Sequence, residues 1–165
     1  MHIAIPQALF FIFLALVSFF FSASETSLIS LSKIRLRHML AQGVKHMAQG
    51  VKRAQHIQRL MANSEKFITA VLVGNNLVNI AMSAIATAAF VRVFGFNWGV
   101  VLATFATAAF VLIFCEITTK ILAIKNSEGV ALFTAPLMSA VIRLFNPLTT
   151  VFVGITNFKI GRAHV

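Results

Sequence analysis

The sequence contains no aspartate and no tyrosine, a single cysteine and three prolines. Only four glutamates oppose fourteen lysines and arginines in the 165 residues. With only Cys115, no intramolecular disulfide can form, and cysteine usage says nothing about the redox compartment. Charged residues make up 11% of the chain, where a soluble domain carries about a quarter. So few charges cannot cover the surface of a water-soluble core of this size. There is no Ser-His-Asp set, no HExxH and no Walker loop, so no enzyme constellation is visible.

What the chain has instead is apolar residues, 59% of the total, in long runs. Such runs read as membrane spans, which need roughly 20 residues each. The expected fold class is an all-α membrane protein with three transmembrane helices and amphipathic juxtamembrane helices. The spans are expected at about 3–26, 67–91 and 98–123. The first lacks a basic flank before it and continues in a helical pattern, so it reads as a retained helix rather than a signal peptide. Asn63-Ser64-Glu65 provides a helix N-cap signal ahead of the second span. Residues 92–97 form a short loop, and Trp98 stands where an interfacial aromatic belongs.

The net charge of +10 could suggest nucleic acid, but its distribution argues against that partner. Half of the basic residues (Lys33, Arg35, Arg37, Lys45, Lys52, Arg53 and Arg59) follow the first span directly. This fits the positive-inside rule and places the loop in the cytoplasm. Within 32–64, apolar residues recur at helical spacing, with Gly43 and Gly50 as interruptions. The pattern predicts two short amphipathic helices on the cytoplasmic face. A further apolar segment, 130–153, holds Pro136, Asn146-Pro147 and Arg143. A central arginine costs at least about 2.5 kcal/mol on insertion scales. The segment is therefore expected to be broken or interfacial. The resulting topology puts the N-terminus outside and the C-terminus in the cytoplasm. Residues 159–165 look like one reading frame of a sequencing adapter, so they are set aside as a tail, and the natural protein is expected to continue past Phe158.

The informative residues are polar groups placed in apolar spans. Glu25 and Glu116 are ionisable residues at or inside spans, each a functional-site hypothesis by default. Around them stand Ser22, Ser24 and Thr26, then Asn75, Asn76 and Asn79 after Gly74, then Thr118 and Thr119. Asn75 and Asn79 share a helix face, as do Ser22 and Thr26. Gly74 permits close helix approach, or a local unwinding that offers its carbonyl. A set of oxygen ligands selects hard cations such as Mg²⁺, Ca²⁺ or Na⁺ over zinc or copper, and one or two carboxylates with neutral oxygens suit Mg²⁺ in particular. The plainer reading is interhelical hydrogen bonding, with Glu116 and Lys120 as an i, i+4 ion pair.

Four ordered motifs carry a family resemblance. They are Ser22-Ala23-Ser24-Glu25-Thr26, Leu31 to His38, Val73-Gly74-Asn75-Asn76-Leu77-Val78-Asn79-Ile80, and Glu116-Ile117-Thr118-Thr119-Lys120. In order and spacing they resemble the CNNM/CorC family, haemolysin-like proteins associated with Mg²⁺ export, over nearly the whole chain up to about Phe158. The resemblance implies a homodimer with three membrane helices per protomer. It implies Mg²⁺ ligands at Ser22, Ser24, the Gly74 carbonyl, Asn75, Asn79 and Glu116. Glu25, Thr26, Asn76 and Lys120 would support them. It further implies Mg²⁺ efflux from the cell, with Na⁺ as a possible exchange ion, in the inner membrane. ATP would act only through cytoplasmic CBS domains that this chain lacks. The alternative is a non-transporting anchor or Mg²⁺ sensor for such a region. Ala23 and Thr119 depart from the family's Gly and Pro, and losing that Pro could remove a kink near Glu116.

Overall fold

The computed structural model describes residues 4–31, 36–38 and 48–161, with side chains from 146 onward left aside. Residues 32–35 and 39–47 of the basic stretch, Gly43 among them, lie outside the described residues, as do 162–165 of the tail. Among the described residues every regular element is helical. The first helix, α1, spans Ala4–Ser30. A basic helix, α2, spans Ala48–Ala62. Then come α3, Ser64–Phe94, and α4, Phe96–Lys125. Last is α5, Ser127–Gly161.

Four of these helices are long and apolar enough to cross a membrane: α1, α3, α4 and the part of α5 from Ser127 to Phe145. Three of them match the spans expected from hydropathy, each longer by a few residues. The fourth differs from the sequence reading. Instead of breaking, α5 runs unbroken through Pro136 and through residues 146–147. An internal proline costs about 3 kcal/mol by removing one backbone bond and crowding the preceding turn. Burial on the same segment offsets that cost: Ala131, Ala135 and Met138 are fully buried against the bundle. Small alanines let α5 approach closely, while Met138 fills the space beside them.

Two local expectations also change. Gly50 lies inside α2 instead of interrupting it. Asn63 does not cap α3 through its side chain. Its backbone N–H donates to the Arg59 carbonyl at 3.2 Å, and its side-chain amide donates to the same oxygen at 3.2 Å. Asn63 therefore satisfies the end of α2, and α2 passes into α3 almost without a break.

The loop expected at 92–97 shrinks to one residue. Gly95 adopts φ 75°, in the left-handed region that favours glycine, and reverses the chain between α3 and α4. Its N–H donates to Val91, and its carbonyl accepts from Gly99. Close hairpin packing requires Gly99, where a Cβ would meet the Val91 backbone at 2.5–2.7 Å. At this same end Arg92 donates to Gln7 of α1 at 3.3 Å. The core is a set of apolar contacts from α1 to α3 and α5, centred on Phe21, Val71, Met82 and Met138. Large apolar residues such as Leu16, Ile80 and Phe105 face outward, as a lipid-facing surface requires.

Candidate cation site

A cluster of oxygens forms where the middle of α1 meets α3. Ser18 of α1 is fully buried. Its Oγ lies 2.9 Å from Asn75 Oδ1 and 3.0 Å from Asn79 Oδ1. The i, i+4 spacing of the two asparagines puts both on the α3 face that meets Ser18. A serine hydroxyl has one proton and can donate fully to only one of them. Three oxygens thus converge on a single proton, a surplus of lone pairs in a water-poor setting.

One turn further along α1, Ser22 is 2% exposed, and its hydroxyl has no hydrogen-bond partner. Among the described residues only Thr107 of α4 shares that condition. A buried polar atom left unpaired costs about 1–3 kcal/mol. Ser24, also fully buried, instead donates to the Phe20 carbonyl of its own helix at 2.7 Å, and Ser27 donates to the Ser24 carbonyl at 3.2 Å. Glu25 and Thr26 are half-buried.

The third helix contributes through an irregularity. Residues Val111–Thr118 of α4 wind as a π-helix, a form that often marks functional sites. Thr118 donates to the Ile113 carbonyl at 2.7 Å and Thr119 to the Phe114 carbonyl at 3.1 Å. Both bonds reach back five residues, which matches the wider winding. The helix is thus distorted beside Glu116. Within this stretch Cys115 is buried, its thiol 3.9 Å from the Ala15 carbonyl and against the Ser18 hydroxyl. Glu116 is the next residue after this cysteine and is half-buried. Lys120 is exposed.

Of the residues named from sequence, the structure therefore joins Asn75 and Asn79 directly, through Ser18. It places Ser22 one turn away, and on a third helix it brings Cys115, the neighbour of Glu116, against α1. Asn76 is exposed and points elsewhere. Gly74 is buried in an unbroken helix, so no unwinding occurs there. Its role is close approach, because the Phe21 ring lies flat over it. Ser18 was missed by the sequence reading. Its signal was its position, one turn before Ser22 on the same face. Among the described residues no group of three His, Cys, Asp or Glu side chains could hold a metal. Any cation here would depend on hydroxyl and amide oxygens with at most one carboxylate, a set suited to Mg²⁺.

The Gly74 contact yields a prediction. A Cβ at 74 would lie 2.8 Å or less from two Phe21 ring atoms. Alanine gains about 1 kcal/mol of helix propensity over glycine. Overpacking costs about 1–3 kcal/mol, so the clash wins. Gly74→Ala should lower the thermal unfolding midpoint, and Phe21→Leu in the same chain should recover part of the loss.

The fold and the cluster define a multi-pass helical membrane domain with a polar site between its helices. The chain belongs to the CNNM family: residues 9–164 match the family's Cyclin M transmembrane N-terminal domain. A UPF0053 protein of Haemophilus influenzae is 37% identical over 148 residues, covering 88% of this chain and 33% of that protein. The UPF0053 inner membrane protein YfjD of Escherichia coli is 35% identical over 140 residues, covering 85% and 31%. A chloroplastic DUF21 domain-containing protein of Arabidopsis thaliana is 35% identical over 115 residues, covering 70% and 16%. The chain spans about a third of the length of the two bacterial relatives.

Proposed function

We propose that this domain moves Mg²⁺ out of the cell through the oxygen cluster between α1, α3 and α4, with Na⁺ as a possible counter-ion. The observation that carries the reading is the meeting of Ser18, Asn75 and Asn79 oxygens on one proton beside the unpartnered Ser22 hydroxyl. A hard cation would take up those lone pairs, and Glu116 would supply the negative charge. The family resemblance supports a homodimer as the working unit. It also supports regulation by ATP through CBS domains in longer members. The name of the Escherichia coli relative supports the inner membrane as location.

The proposal includes three crossings with α5 lying along the cytoplasmic face. Ser139 is about 18 Å along α5 from Ser127, at about 1.5 Å per residue. Yet it sits 3.1 Å from His56 of α2. Helix α2 carries Lys52, Arg53 and Arg59 and cannot enter hydrocarbon cheaply. It also leads straight into the start of α3. Contact with α2 as far along as Ser139 favours a helix lying along the bilayer face over a fourth crossing. On this reading the N-terminus lies outside and residues after α5 lie in the cytoplasm.

A second reading has one observation in its favour. Ser18 meets Asn75 and Asn79 across α1 and α3, as interhelical polar contacts in a plain anchor would. Titration of Mg²⁺ into the purified protein separates the two. The transport reading expects saturable binding, weakened at least about tenfold in Asn75→Leu/Asn79→Leu, the equivalent of about 1.4 kcal/mol. Identical titrations for the two proteins favour the anchor.

A further inference from the structure

A second polar site lies away from the oxygen cluster, where α2 ends, α3 begins and α5 passes. A space of about 280 Å³ opens there between the three helices. Arg59 from the last turn of α2, Lys66 from the first turn of α3 and Arg143 of α5 all line it. Each of the three is exposed, and no carboxylate lines the space with them. Glu65, the sequence neighbour of Lys66, is not part of the lining. Three cations brought together from three helices repel one another unless an anion joins them.

His56 adds a built element. The Ser139 hydroxyl donates to the Ala135 carbonyl at 2.8 Å, which uses its one proton. The 3.1 Å contact between His56 Nδ1 and Ser139 Oγ must then have Nδ1 donating. The imidazole is fixed at the edge of the space by a bond across α2 and α5. Asn63 completes the polar lining, and the apolar part of the wall comes from Leu60 and Ile142.

The position of the space selects the kind of anion. Phe67, directly after Lys66, is the first buried apolar residue of α3. The charges thus stand at the level where the span meets water, the depth of lipid phosphates. Basic pockets between helices at such a boundary suit anionic headgroups. A free phosphate would use the charges but leave the Leu60 and Ile142 wall exposed. We propose that this space binds the phosphate headgroup of an anionic phospholipid, with the first methylenes of its chains on Leu60 and Ile142. Bound there, the lipid ties α2, α3 and α5 together.

The test follows the thermal unfolding midpoint of the purified protein in neutral detergent, with added phosphatidylglycerol, phosphatidylcholine or inorganic phosphate. Native mass spectrometry of retained lipid provides a second readout on folded protein. Phosphatidylglycerol should raise the midpoint and be retained, and phosphatidylcholine should do neither. Arg59→Gln and Arg143→Gln should each weaken the apparent affinity about fivefold, and together about 25-fold. Lys52→Gln/Arg53→Gln removes two exposed charges of α2 that do not line the space, and it should leave the affinity unchanged. Three results would overturn the proposal. One is equal response to phosphatidylcholine. Another is inorganic phosphate acting at the same concentration as the lipid. The third is a loss in the Lys52/Arg53 pair as large as in the Arg59/Arg143 pair.

Discussion

Glu116→Ala is expected to reduce Mg²⁺ efflux from loaded vesicles by about a hundredfold, since a contact to a charged group is worth up to about 3 kcal/mol. The reason lies in the inventory of charge. The described spans hold few acids, and Glu116 is the one in the π-helical part of α4, next to the cysteine that packs on α1. The oxygens of Ser18, Asn75 and Asn79 are neutral. Neutral oxygens alone cannot offset the cost of bringing a dehydrated divalent ion into a medium of low dielectric. The protein should stay folded, because Glu116 is only half-buried and alanine favours helix. Glu116→Gln separates charge from shape: it keeps the side chain's size and should be as inactive as the alanine variant. Efflux surviving in both would remove Glu116 from the site.

Ser22→Ala should move stability and transport in opposite directions. The Ser22 hydroxyl is buried without a partner. Removing it relieves a penalty of about 1 kcal/mol or more, which should raise the unfolding midpoint by about 2–4 °C. If the hydroxyl is a ligand for the moving ion, transport should drop about tenfold in the same variant, an effect of about 1.4 kcal/mol. A residue kept only for packing would give the stability gain with no loss of transport. Thr107→Val is the comparison. Its hydroxyl is also unpartnered but sits on α4 more than two turns before the π-helical stretch ends. That variant should gain stability and keep its transport.

The helices of this fold were legible in the sequence because long apolar runs leave few alternatives. Hydropathy placed α1, α3 and α4 to within a few residues at most ends. At α5 it offered a broken or an interfacial segment, because Pro136 and Arg143 argue locally for a break, and the helix is unbroken. The outcome there depends on Ala131, Ala135 and Met138 being buried by other helices, which no local pattern reports. Asn63 shows the same limit. Its residue type announces an N-cap, yet the side chain turns back to the Arg59 carbonyl once α2 runs straight into α3.

The site was legible in part for a physical reason. Asparagines and a glutamate are conspicuous in apolar spans, so Asn75, Asn79 and Glu116 stood out. Ser18 did not, because a lone serine among Phe and Val in α1 is ordinary. Only the approach of α3 gives it two amide oxygens as neighbours. Ser24 stood out as strongly as Ser22, yet its proton goes to its own helix. Sequence spacing could not distinguish them, since both positions are buried and the difference is one of partners. The π-helical winding near Thr118 and Thr119 was equally hidden. Two threonine hydroxyls bonding five residues back accompany it.

Carriage of Mg²⁺ through the bilayer by way of that oxygen cluster is the function proposed for this domain. Mg²⁺ flux into liposomes containing the purified protein, followed with an entrapped Mg²⁺-sensitive dye, tests it most directly. The account predicts a dye signal that saturates with Mg²⁺ concentration and disappears in Glu116→Ala. A signal no larger than that of protein-free liposomes, or one equal in the wild type and the variant, would contradict it.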